Sequence, residues 1–123
     1  MSPLLVLAVA LGGGAGAAGR FLLDGLINTG REFRLPVGTL TINITGSLLL
    51  GITVGAATHL GAVPVAVLGT GVMGGYTTFS TASFETVRLA RSGRITAAAI
   101  NGLGMLVVSV TAATAGILLG GAL

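Results

Sequence analysis

Gly74-Gly75-Tyr76-Thr77-Thr78-Phe79-Ser80-Thr81-Ala82-Ser83-Phe84-Glu85 interrupts a stretch of sequence that is otherwise apolar on both sides. Five hydroxyl residues (Thr77, Thr78, Ser80, Thr81 and Ser83) fall within seven positions, directly after a glycine pair. An unsatisfied polar group in hydrocarbon costs on the order of several kcal/mol, so this cluster must face protein, water or an ion rather than lipid. Glycines followed by threonines in mid-span predict an unwound turn, whose freed carbonyls need donors or a cation.

The surroundings make the membrane reading firm. Of 123 residues, 53% are hydrophobic and 7% charged, against about 25% charged in an average globular domain. At roughly 20 residues per crossing, a chain of this length has room for at most about four spans. The apolar runs place them at about 4–27, 37–59, 63–89 and 95–119, with no soluble domain left over. The fold class expected is therefore an all-α membrane protein of four transmembrane helices, the third broken near its middle. Twenty-two glycines argue for close helix packing, because lipid supplies no hydrophobic drive and small residues let backbones approach. The spacings Gly12-xxx-Gly16, Gly51-xxx-Gly55, Gly71-xxx-Gly75 and Gly116-xxx-Gly120 mark the candidate contact faces.

Composition also excludes several classes. Without cysteine, disulfides and thiolate metal sites are absent. A net charge of +3 is too small for a nucleic-acid surface. No basic segment precedes the first apolar run, so a cleaved signal peptide is not expected. Paired carboxylates at catalytic spacing, metal-ligand clusters and phosphate-binding loops are missing, and the hydroxyl cluster has no base beside it. An enzyme is not expected.

The chemistry on offer is hydrogen-bond donation. Thr39, Asn43 and Ser47 recur every fourth residue as one polar stripe on the second span. Asn101 and Ser109 repeat the pattern on the fourth, with Met105 between them. Donors without fixed negative charge suit a small anion that must shed its water. The bland alternative for Asn43 is an interhelical hydrogen bond with no transport role. Arg20 and Asp24 lie four apart on one helical face, either as an interfacial pair or with Arg20 in an anion-attracting vestibule. Glu85 reads as a charge partner for Arg88 at the membrane edge. His59 reads as interfacial.

Arginine also sets the orientation. Arg31, Arg34, Arg88, Arg91 and Arg94 all fall in or beside the loops after spans one and three. The positive-inside rule puts those loops in the cytoplasm and both termini outside.

Three motifs together resemble a known family. Gly74 to Thr81, the earlier Gly38-Thr39-Leu40-Thr41-Ile42-Asn43-Ile44-Thr45-Gly46, and Gly16-Ala17-Ala18-Gly19-Arg20-Phe21 look like the CrcB/Fluc fluoride channels over nearly the whole chain. The resemblance implies a fluoride-selective channel of a bacterial plasma membrane that exports cytoplasmic fluoride and so relieves its toxicity. It implies an antiparallel, dual-topology dimer with pores at the interface and a central structural Na+ held by the backbone carbonyls of Gly74 and Thr77. Pore residues carry over as Asn43, Phe79, Ser80, Thr81 and Ser109, and Arg20 matches the first-span arginine. The pattern departs at Ala82, where a second phenylalanine is expected, and at Met105 and Ala113. Those departures, with the fixed orientation, point to a heterodimer with an oppositely inserted paralogue. The competing readings are a small multidrug or guanidinium exporter, which needs a first-span glutamate this chain lacks, and a non-transporting assembly subunit. A proton-carrying rotor subunit is disfavoured because Glu85 lies past the polar run.

Overall fold

The computed structural model describes residues 1–29 and 36–123, so Arg31 and Arg34 lie outside the described residues. Among the described residues, four helices are long and apolar enough to cross a membrane: Pro3–Asn28, Val37–Gly55, Ala62–Arg91 and Ile95–Gly121. The chain is therefore an all-α, multi-pass membrane protein. The first helix starts with Ser2, whose hydroxyl accepts from the Leu5 N–H, followed by a proline that has no N–H to leave unpaired. His59 sits on a separate short turn, Ala57–Leu60, beyond the second helix. Gly61 and Gly93 turn the chain before spans three and four with φ of 81° and 82°, which L side chains rarely adopt.

Glycine decides the packing. The second and fourth spans form the most extensive contact, and the first packs on the N-terminal half of the third. A Cβ on Gly51 would lie 3.0 Å from the Gly116 Cα, and one on Gly120 would lie 2.9 Å from the Ala56 N. On the other pair, a Cβ on Gly16 would lie 2.9 Å from the Tyr76 N, and one on Gly75 would lie 3.0 Å from the Gly13 Cα. Both contacts are backbone against backbone, the arrangement that small residues permit in lipid.

The third span is not one helix. It widens to a π-helix over Ala66–Met73, resumes α geometry over Gly74–Tyr76, and opens at Thr77, whose backbone is extended (φ −77°, ψ 161°). Helix restarts at Ser80 and runs to Arg91. The break thus opens at Thr77, the C-terminal end of the stretch from Gly74 to Thr77 where an unwound turn is expected. Gly74 and Gly75 stay helical because Gly75 serves the contact with Gly13, and the opening comes where a side chain from another span intervenes. The fourth span also carries a π-helical turn, Ile100–Gly104. Wide turns of this kind are rare and concentrate at functional sites.

Candidate functional site

The second span makes the break. Asn43 Nδ2 donates to the Thr78 carbonyl and Asn43 Oδ1 accepts from the Thr78 N–H, each at 2.8 Å. One amide thus satisfies both backbone polar groups of a residue that no longer belongs to a helix. The Thr78 hydroxyl accepts from the Thr81 N–H at 3.1 Å and caps the restarted helix. In an unbroken helix the N–H groups of Thr78 and Thr81 would close on the carbonyls of Gly74 and Thr77. Side chains have taken both donors, so those two carbonyls lose their helical partners. Gly46 makes the approach possible, since a Cβ there would meet the Tyr76 ring at 2.9 Å. Tyr76 is fixed in turn by its hydroxyl, 2.9 Å from Thr45 Oγ1. Because Thr45 already donates to the Thr41 carbonyl, Tyr76 is the donor in that pair.

Two cavities flank the break. The larger, about 450 Å³, lies between the second span, the restarted third helix and the fourth span. Asn43, Ser47, Phe79, Ala82, Met105 and Ser109 are among the residues that line it. The smaller, about 240 Å³, is walled by Arg20, Asp24, Thr39, Thr78 and Thr81. Thr78 touches both. The structure therefore brings Asn43, Phe79 and Ser109 to one side of the break, and Arg20 and Thr81 to the other. Ser80 starts the restarted helix on its exposed face, and Gly74 is exposed as well. Phe79 is 88% exposed in the single chain, an unusual setting for a large aromatic in the middle of a span.

Polar atoms without partners mark both cavities. Ser109 Oγ and Arg20 Nε are buried and make no hydrogen bond. Burying such groups unpaired is costly, so each is a place for a ligand or a second chain. Glu85 Oε2 is similarly unpaired, while Glu85 Oε1 accepts from Thr39 Oγ1 at 3.0 Å. Glu85 consequently meets the second span through Thr39, while the exposed Arg88 acts on it as a nearby positive charge. The Arg20–Asp24 pair does not form. Asp24 Oδ1 takes the Asn28 amide at 3.0 Å, one turn further along, and Arg20 turns into the cavity.

Sequence reasoning missed Thr86, and marked Met105 only as a departure from the family pattern without giving it a role. Thr86 donates to the Ala82 carbonyl and accepts from Asn101 Nδ2, both at 2.8 Å, tying the restarted helix to the π turn of the fourth span. Met105 Sδ lies 3.2 Å from Asn43 Nδ2 and accepts its second hydrogen. Neither has a local signature, since each gains its role from a residue on another span.

The family profile described as CrcB-like protein, Camphor Resistance (CrcB), matches residues 7–117. The chain belongs to the CrcB family. This CrcB chain is 49% identical over 123 residues to a protein of Leifsonia xyli named fluoride-specific ion channel FluC 1, covering 98% of this chain and 90% of that one. It is 48% identical over 120 residues to fluoride-specific ion channel FluC 2 of Cutibacterium acnes, covering 95% and 98%. A FluC 2 of Natronomonas pharaonis is 42% identical over 123 residues, with both chains fully covered. The CrcB break and its two cavities thus sit in a family of channels, not of enzymes.

Proposed function

We propose that the chain is a subunit of a fluoride channel that lets cytoplasmic fluoride leave down its gradient. The observation that carries this reading is the pair of buried, unpartnered donors, Arg20 Nε and Ser109 Oγ, in cavities on the two sides of one break. Asp24 shares the smaller cavity with Arg20 but gives Oδ1 to Asn28, so the unpaired donors favour an anion, and sites that are many and weak let it enter and leave. Arg20 draws the anion into the smaller cavity. Thr81, Ser80, Asn43 and Ser109 then replace its water, helped by the positive edge of the Phe79 ring. The names of the relatives support fluoride as that anion.

A dimer completes the site in this reading. Phe79 and Gly74 are exposed on the single chain, as they must be if a second subunit covers them. The carbonyls of Gly74 and Thr77, deprived of their helical donors, are the hard oxygen ligands that suit Na+, and an antiparallel partner would add its own two. Such an ion would neutralise facing carbonyl dipoles at the dimer centre. The arginine bias fixes both termini outside, so the partner is an oppositely inserted paralogue, which fits the numbered names of the relatives.

Fluoride efflux from liposomes, followed with a selective electrode, tests these points together. The chain co-reconstituted with its paralogue releases fluoride rapidly and chloride hardly at all, and the chain alone stays at background. Preparation without Na+ lowers the active fraction. Equal chloride and fluoride release, or none from any combination, overturns the channel reading. Rapid efflux from the chain alone overturns only the heterodimer.

A further inference from the structure

We infer that Met105 sets how strongly this chain holds its anion, by occupying the one hydrogen of Asn43 that an anion can reach. The inference rests on the reading of the larger cavity as a fluoride pathway.

The orientation of the Asn43 amide is fixed by its partners. The Thr78 N–H can only donate and the Thr78 carbonyl can only accept, so Oδ1 must face the first and Nδ2 the second. That arrangement uses Oδ1 and the amide hydrogen beside it. One hydrogen remains, and it points at Met105 Sδ, 3.2 Å from Nδ2. Asn43 therefore has no free donor in the resting chain, although it lines the cavity.

The partner it holds is a poor one. A thioether sulfur is a weak acceptor, whereas a dehydrated anion forms charge-assisted hydrogen bonds of roughly twice ordinary strength. An anion entering the cavity displaces the sulfur without disturbing the clamp on Thr78. Methionine suits that exchange, because an unbranched side chain with three rotatable bonds can swing aside. Ser109, one helical turn beyond Met105, brings a buried hydroxyl with no partner to the same cavity. The anion then sits between a donor that was always free and one that had to be released. Met105 is a positioning residue whose sulfur competes with the ion and keeps binding weak enough for release.

Two measurements test this on the assembled channel. The chain has three methionines, Met1, Met73 and Met105. With methyl-13C-methionine in this chain and an unlabelled partner in nanodiscs, titration with NaF moves the Met105 methyl resonance saturably. The Met73 and Met1 signals stay still, and NaCl moves none. An unmoved Met105 signal at fluoride concentrations that support flux overturns the inference and leaves the channel reading intact. In the second measurement, Met105→Leu removes the acceptor and keeps the bulk. Calorimetric fluoride affinity rises ~3–10-fold, the equivalent of one hydrogen bond no longer competed for, and maximal efflux slows. Unchanged or weaker affinity overturns the inference. If Met105→Leu fails to assemble, the methyl titration decides alone. A parent channel that passes no fluoride at all removes the channel reading, and the inference with it.

Discussion

The second span packs on the fourth along Met105–Gly121, but the two halves of that contact are built on opposite principles. Where Gly51 and Gly55 face Gly116 and Gly120, the backbones touch and no side chain intervenes. Where Asn43 and Ser47 approach Met105 and Ser109, these side chains line a cavity of about 450 Å³, and the restarted third helix supplies its remaining wall. Lipid gives no hydrophobic reason for either half to close. The glycine half closes because nothing obstructs dispersion contact between the backbones. The polar half is kept open by side chains whose hydrogen bonds reach across to the third span. One half is thus a fixed joint and the other a site whose width depends on hydrogen bonds that can be exchanged.

Substitutions should separate the two. The largest loss of stability is expected in the fixed joint. A Cβ on Gly116 would lie 2.8 Å from the Ile52 N and 2.9 Å from the Gly51 Cα, and neither backbone can move without parting the helices. Gly116→Ala should cost about 3 kcal/mol, the upper part of the usual range for overpacking, measured by reversible unfolding in mixed micelles. A smaller but functionally sharper loss is expected in the open half. Asn43→Ala strands the N–H and carbonyl of Thr78, at about 2 kcal/mol for the two groups with some water admitted, and fluoride efflux should fall to background. If Gly116→Ala is tolerated while Asn43→Ala unfolds the chain, the assignment of joint and site is reversed.

The parts of this fold that could be read in sequence are those with a local cause. Four spans follow from the apolar runs, and the glycine spacings announced close contacts. They did not say that Gly12 and Gly16 would meet the third span at Val67, Val72 and Tyr76, or that Gly51 and Gly55 would meet the fourth span. A break was expected over Gly74 to Thr77, because glycines followed by threonines are its local signal. It falls at Thr77–Phe79 because Asn43, 35 residues away, captures Thr78. The spacing of Arg20 and Asp24 suggested a pair, yet Asn28 stands at the same spacing on the other side of Asp24 and takes the bond. Thr39, Asn43 and Ser109 were visible as members of polar stripes. Thr86 was not, because a threonine in an apolar helix commonly bonds its own backbone, and Met105 was noted between Asn101 and Ser109 without a role, because a methionine commonly fills space.

Glycines that touch nothing sharpen the comparison further. Gly19 lies on the first span, three residues beyond Gly16, but a Cβ there would meet nothing within 4 Å. The spacing from Gly12 marks Gly16 as a contact glycine and says nothing of Gly19, although both belong to the same Gly12–Gly19 run. Within the single chain, Gly16→Ala would push a methyl into the carbonyl of Val72, whereas Gly19→Ala places one in open space. Gly19→Ala should therefore change the unfolding free energy of the chain by about 0.5 kcal/mol or less, with a small gain possible from a stiffer unfolded backbone. The same substitution in the assembled channel asks a separate question. If lipid covers that face, subunit exchange followed by fluorescence transfer proceeds at the parent rate. If exchange accelerates while the fold of the single chain is unchanged, Gly19 is a glycine of the fixed-joint kind whose opposing backbone belongs to the partner subunit. The contrast between closed and open faces would then extend from the inside of one chain to the boundary between two.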